Sequence, residues 1–272
     1  MASFRAACIQ MTSGVEVDAN VEAASALIRE AAAAGADFIA TPEVTHLMVM
    51  KTKELFSKIH LQADDPGLAA FQALAADLEK WLLIGSLAIR ISEDKVANRS
   101  FLVGPDGTIK SQFDKMHMFD VDLPSGESYR ESVTYKAGDD LALAELPWGR
   151  LGQTICYDLR FPYLYRALAH QGADFITVPS AFTQQTGEAH WHILLRARAI
   201  ETGSFVIAPS QVGDHACGRK TYGHSLIISP WGEVLADGGT DIGVISAEID
   251  TDAVQVARAQ IPSLLGTHPS FS

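Results

Sequence analysis

Basic residues are in short supply: the 272-residue chain has 21 Lys and Arg against 33 Asp and Glu, a formal net charge of −12. A surface this negative repels phosphate backbones and anionic bilayers, which argues against nucleic-acid and membrane partners. Cysteine is scarce as well. Cys8, Cys156 and Cys217 form an odd set with no C-x-x-C pair, so neither a disulfide framework nor a cysteine-based zinc site is expected. Long apolar runs are missing: the longest nearly apolar one, Trp81 to Ile91, is about half of the roughly 20 residues a bilayer-spanning helix needs. The opening MASFRAACIQM has one Arg and too short an apolar stretch for a secretory signal, so a cytoplasmic setting is the expectation. No low-complexity tract or Ser/Gly linker divides the chain, which reads as one domain, 1–272. With 47% hydrophobic and 20% charged residues, disorder is excluded.

Strand and helix patterns alternate. Ala6 to Met11 reads as a strand, and Asp18 to Gly35 as a helix with Val21, Ala24, Leu27, Ile28 and Ala31 on one period. Asp37 to Ala40 is a second strand, ended by Thr41-Pro42-Glu43 because proline is excluded from a central strand. The unit recurs: Arg150 to Tyr157 is strand-like, Pro162 to Gln171 helical, and Asp174 to Pro179 strand-like. GADFIATPE at Gly35 nearly repeats as GADFITVPS at Gly172, and LVGPDGTI at Leu102 recurs in form as IISPWGEV at Ile227. Two matches in order, so far apart, predict two related halves rather than a short-period solenoid. Further helices over Asp64 to Lys80 and Gly187 to Thr202 precede strands at Trp81 and Ser204, which makes the class α/β. Asp120 to Asp140 is long and polar enough for a surface or active-site loop.

In such sheets functional groups gather at the carboxyl ends of strands, where Glu43, Cys156 and Ser180 are expected. Cys156 precedes a bend feeding a helix and suits a nucleophile, although an isolated cysteine is as often a small buried hydrophobe. Cys8 reads as core and Cys217 as an incidental exposed thiol. Glu43 is a candidate base whose pKa desolvation would raise; it could equally be a cap or a surface carboxylate. Lys115, among apolar side chains, could stabilise an oxyanion or simply snorkel. His190 and His192, two apart on a helix, point to different faces and make a poor joint metal site, while His117 and His224 read as ordinary satisfied polar residues. Spacing cannot show that these residues meet.

Taken together, TPE at Thr41, DKMHMFD at Asp114, YRES at Tyr129, TICYDLRFP at Thr154, PSAFT at Pro179, AHWHILLRARAIET at Ala189 and GRKTYGHS at Gly218 resemble the nitrilase superfamily of carbon–nitrogen hydrolases. The similarity is greatest to its Nit-type amidase branch, which includes deaminated glutathione amidase and omega-amidase. The resemblance implies a four-layer α-β-β-α sandwich of two pseudo-symmetric halves, with subunits paired as homodimers. It maps the nucleophile to Cys156, the general base to Glu43, the catalytic lysine to Lys115 and a second glutamate to Glu131. It further implies a thioester intermediate, a small amide substrate and no metal or organic cofactor. The backbone N–H of Tyr157 would help hold the oxyanion; Arg160, Phe182 and Thr183 are pocket candidates, Arg160 as a partner for a substrate carboxylate or as a structural ion-pair partner. Tyr163 stands where the pattern RFPEL has Glu, and His192 where AHWE has Glu. Nitrile or N-carbamoyl amino acid hydrolysis would use the same thioester logic, and a silent binding module on the same fold is the alternative of another kind.

Overall fold

A computed structural model describes residues 3–123 and 126–266. The first half runs β1 (Ser3–Gln10), α1 (Val17–Ala33), β2 (Phe38–Ala40), α2 (Thr52–Lys58), α3 (Pro66–Leu78), β3 (Trp81–Arg90), β4 (Val96–Val103) and β5 (Ile109–Asp114). A hairpin of β6 (Asp120–Asp122) and β7 (Ser128–Arg130) follows. The second half runs β8 (Leu143–Leu146), β9 (Gly149–Gln153), α4 (Pro162–His170), β10 (Phe175–Thr177), α5 (Gln184–Thr202) and β11 (Phe205–Ala208). It continues through β12 (Val212–Asp214), β13 (Lys220–Tyr222), β14 (Leu226–Ile228) and β15 (Val234–Asp237), before β16 (Gly243–Asp250) and α6 (Asp252–Gln260).

Two six-stranded sheets result, ordered β16-β1-β2-β3-β4-β5 and β8-β9-β10-β11-β14-β15. The repeated segments lie at their centres: β2 is parallel to β1 and β3, and β10 is parallel to β9 and β11. The outer pairings are antiparallel in both sheets. β16, formed after the second repeat, crosses back to pair with β1 along its whole length, in the place that β8 fills beside β9.

Each central strand is apolar on both sides because both sides are covered. In β2, Phe38 and Ala40 face the other sheet and Ile39 faces the helices; in β10, Phe175 and Ile176 divide in the same way. Phe4 and Phe38 meet Phe175 between the sheets, with ring centroids 5.3 and 6.2 Å away. Outside, Ile28 of α1 and Phe71 of α3 cover the first sheet, and Leu168 of α4 and Trp191 of α5 cover the second. This is the expected four-layer α-β-β-α sandwich. Gly35 and Gly172 turn α1 into β2 and α4 into β10 with φ of +88° and +90°, a left-handed region that a side chain would strain.

One local expectation is corrected, and another gains detail. The strand expected to reach Tyr157 ends at Gln153, and Cys156–Arg160 is a 3-10 turn held by Asp158, whose side chain accepts the Ile155 N–H at 3.0 Å. Part of Asp120 to Asp140 is the β6–β7 hairpin followed by a 3-10 turn at Glu131–Val133; residues 124 and 125 lie outside the described residues.

Candidate active site

Glu43 lies beyond the end of β2, where Pro42 stops the ladder. The turn carrying it is clamped to a bulge in β3. Thr41 N–H donates to the Leu83 carbonyl at 3.0 Å, Thr45 N–H to the Ser86 carbonyl at 3.0 Å, and Val44 N–H to Ser86 Oγ at 2.8 Å. The register of β3 against β4 shifts between Ile84 and Leu87, which frees Gly85 and Ser86 for these contacts. A Cβ on Gly85 would fall 1.9 Å from the Thr41 carbonyl oxygen, so glycine is required there. Ala181 N–H, at the corresponding end of the second repeat, donates to Glu43 Oε2 at 2.9 Å.

Lys115 is the first residue after β5 and is 2% exposed. Its ammonium reaches Glu43 Oε1 at 2.9 Å and both Glu131 oxygens at 3.0 and 2.9 Å. Glu131 is fixed in turn by the Phe119 N–H at 2.7 Å. Asn98, a buried polar residue in the apolar strand β4, donates from Nδ2 to Glu43 Oε1 at 2.9 Å and towards Glu131 Oε1 at 3.4 Å. A lysine buried this deeply is tolerable only because two carboxylates compensate it.

Cys156 follows β9 with φ of +50°, a strained conformation for a residue with a side chain. Its N–H donates to the Pro179 carbonyl at 3.0 Å, which ties it to the end of β10, and its thiol lies on the same cavity wall as Glu43, close enough for the two to shift each other's pKa. Three residues distant in sequence thus share one buried spot.

The electrostatics correct one expectation. Burial does push the Glu43 carboxyl upward, but the Lys115 and Arg219 cations and the Cys156 thiol outweigh it and hold Glu43 below its ordinary value. Lys115 is held well above its ordinary value, because the Glu131 and Glu43 charges overcome the effect of burial. The Cys156 thiol is pushed far up by burial and by the Glu43 charge, with Lys115 opposing. The resting set at neutral pH is a carboxylate, an ammonium and a protonated thiol.

These groups open on a cavity of about 350 Å³, whose wall includes Glu43, Lys115, Glu131 and Cys156 together with Tyr129 and Arg219. Tyr157, Phe182 and Thr183 are on the wall as expected. Thr183 also caps α5 through the Thr186 N–H at 3.4 Å. Arg160 is not on the wall. Its guanidinium lies behind it, 5.9 and 5.3 Å from the ring centroids of Tyr157 and Phe182, and pairs with His190 Nδ1 at 3.3 Å. The arginine on the wall is Arg219, over the Tyr129 ring at 5.5 Å and bonded to the Ala181 carbonyl at 2.5 Å.

A family model for carbon-nitrogen hydrolases matches residues 5–259. The chain belongs to the carbon–nitrogen hydrolase family. A deaminated glutathione amidase of Synechocystis sp. is 39% identical to the hydrolase over 97% of its chain and 98% of the relative. Omega-amidase NIT2 of Homo sapiens is 34% identical over 96% and 94%. The crystal structure of the C. elegans NitFhit protein superimposes with a TM-score of 0.92 at 32% identity, covering 100% of the hydrolase and 66% of that longer chain.

Asn98 and Arg219 were not legible as site residues. Asn98 has one signal, a polar side chain between apolar neighbours in β4. Arg219 lies in a polar loop whose fold alone brings it to Glu43. The departure at Tyr163 also has a physical account: its hydroxyl bonds His117 Nε2, while His117 Nδ1 lies 2.6 Å from buried Asp158, so a neutral group completes that chain. His190 and His192 do part company, His190 to Arg160 and His192 to Asp237. Among the described residues no helix is long and apolar enough to cross a membrane.

Proposed function

We propose that the protein is a thiol-dependent amidase that hydrolyses a small carboxylate-bearing amide, of the deaminated glutathione or keto-acid omega-amide type, to an acid plus ammonia or an amine. The observation that carries this reading is Lys115 bridging Glu43 and Glu131 beside the Cys156 thiol on one cavity wall. The amidase names of relatives at 34–39% identity support the substrate class.

In the proposed reaction the Cys156 sulfur attacks the amide carbonyl as its proton passes to Glu43, and a C–S bond forms. Because Glu43 is held ionised and the thiol protonated, this transfer is coupled to attack rather than completed before it. Lys115 and the Tyr157 N–H hold the oxyanion. Glu43 then protonates the departing nitrogen and the C–N bond breaks, which leaves a thioester. Water, deprotonated by Glu43, cleaves the thioester and releases the acid, and the proton returns to sulfur. Glu131 keeps Lys115 charged and oriented. Arg219 offers the substrate carboxylate a cation on the cavity wall, a role expected of Arg160 from the sequence.

A single domain over 1–272, a homodimer and a cytoplasmic setting belong to the same reading. Exposed Ile193 and Ile200 on α5, with Trp231 in the same groove as Ile200, support self-association. Three free cysteines, one needed as a thiol, suit a reducing compartment.

Intact-protein mass spectrometry during turnover of α-ketoglutaramate, deaminated glutathione, a nitrile and an N-carbamoyl amino acid, with ammonia assayed in parallel, tests the proposal. An acyl adduct with the amides, absent in Cys156→Ala, is expected. Turnover of the nitrile or carbamoyl compound alone would move the assignment to those reactions, and no adduct or ammonia with any would end it.

A further inference from the structure

Outside the cavity, three side chains from separate parts of the second half converge: His192 of α5, His224 just before β14, and Asp237 at the end of β15. Asp237 Oδ2 is 3.1 Å from His192 Nε2 and 3.2 Å from His224 Nδ1, and its Oδ1 is 2.9 Å from the same His224 nitrogen. All three donor atoms lie within 4.8 Å of one another. Ligands at about 2.1 Å from a tetrahedral zinc ion are separated from each other by about 3.4 Å, so these spacings already approach the edges of such a ligand set.

We propose that His192, His224 and Asp237 form a binding site for a divalent transition metal of the zinc type. The donor set, two imidazole nitrogens and one carboxylate oxygen, suits borderline cations such as Zn²⁺ rather than Mg²⁺ or Ca²⁺, which prefer oxygen ligands throughout. Coordination requires the tautomers with protons on His192 Nδ1 and His224 Nε2, which present the two inward nitrogens as lone pairs. Water reaches the site and supplies the remaining ligand: the three side chains are 33, 22 and 35% exposed in the order His192, His224, Asp237.

The backbone holds the cluster ready. His224 has φ of +53° and its N–H donates to the Gly239 carbonyl at 2.7 Å, while Gly239 N–H returns to Asp237 Oδ1 at 2.9 Å. The His224 ring stacks on Tyr222 at 4.5 Å and meets the His192 ring at 5.0 Å. The His224 carbonyl also accepts the indole N–H of Trp191 at 2.7 Å, and Trp191 packs on Phe182 of the cavity wall at 4.8 Å. A bound ion would therefore cross-link α5 to the β14–β15 end of the sheet, beside a side chain that shapes the cavity. Its role is structural, and it takes no part in the thioester chemistry. The glutamate that the amidase pattern carries at position 192 would supply oxygen in place of one imidazole, so the histidine is what makes the set nitrogen-rich.

The test is isothermal titration of the EDTA-stripped full-length protein with ZnCl2, in a Cys156→Ala background that removes the cavity thiol as a competing ligand, together with thermal unfolding and zinc-edge X-ray absorption. One equivalent of saturable binding, a Tm that rises with Zn²⁺ and the scattering signature of two imidazoles are expected. His192→Ala should weaken binding at least 10-fold, and His192→Glu, which restores the residue of the family pattern, should weaken it too without loss of fold. His190→Ala should leave it unchanged. Absence of saturable binding, or binding that persists undiminished in His192→Ala and Asp237→Asn, would overturn the proposal.

Discussion

Lys115 Nζ lies 2.9 Å from Glu43 Oε1 and 2.9 Å from Glu131 Oε2, so a single ammonium separates two carboxylates at the floor of the cavity. Lys115→Met should leave both acids facing each other without the ammonium between them. Breaking a buried ion pair from one side costs about 3–5 kcal/mol, which urea unfolding would read directly. A loss below about 1 kcal/mol would mean that the ammonium is not balancing buried charge.

The state of the thiol has its own consequence. With Cys156 raised far above its ordinary value, its reactivity depends on Glu43 as an acceptor and not on a resting thiolate. Iodoacetamide, itself a small amide, should label Cys156 quickly in the wild type and slowly in Glu43→Gln, with Cys217 labelling the same in both. Peptide mapping after brief exposure would show it, and equal Cys156 labelling in the two proteins would remove Glu43 from the role of base. Turnover in Glu43→Gln should fall about 10²–10⁴-fold.

Arg219 lowers the pKa of Glu43 through its charge. Arg219→Met should therefore raise that pKa and move the acidic limb of kcat/KM to higher pH. The same sign governs stability. Glu43 titrates below its ordinary 4.5 in the folded chain, so its contribution is complete above 4.5 and is lost as pH falls through the folded value. Acid unfolding of Glu43→Gln should accordingly show a shallower loss of stability below that pH, and an unchanged slope would contradict the assignment.

Gly85→Ala tests the clamp beneath the active site. Its Cβ would meet the Thr41 and Pro42 carbonyl oxygens at 1.9 and 2.4 Å, so the turn bearing Glu43 must shift. Displacement of about 1 Å at a reacting group costs about 10²-fold in rate. A kcat drop of that order with folded circular dichroism is expected; full activity would show that the bulge yields without moving Glu43.

Much of the architecture was readable because its causes are local. The repeat of GADFIATPE as GADFITVPS encodes the same turn, the same doubly covered strand and the same proline stop, and the two copies do become β2 and β10. The helix period of α1, and the Pro162 and Gly172 that bound α4, were equally plain. The strand through Cys156 was overextended because TICY is apolar enough to continue, whereas the Asp158 side chain captures the Ile155 N–H and turns the chain. Nothing local announces that β16 returns to β1, since that pairing joins the ends of the chain.

The sequence by itself determined the alternation of strands and helices, the duplication and the candidates Glu43, Lys115 and Cys156, since periodicity, glycine and proline act over a few residues and the motifs are contiguous. Only the tertiary structure decided that Glu43 is stabilised as an anion, that Arg219 rather than Arg160 borders the cavity, and that His192 meets His224 and Asp237. Electrostatic and coordinating interactions depend on distance through space, and the packing of two sheets sets those distances.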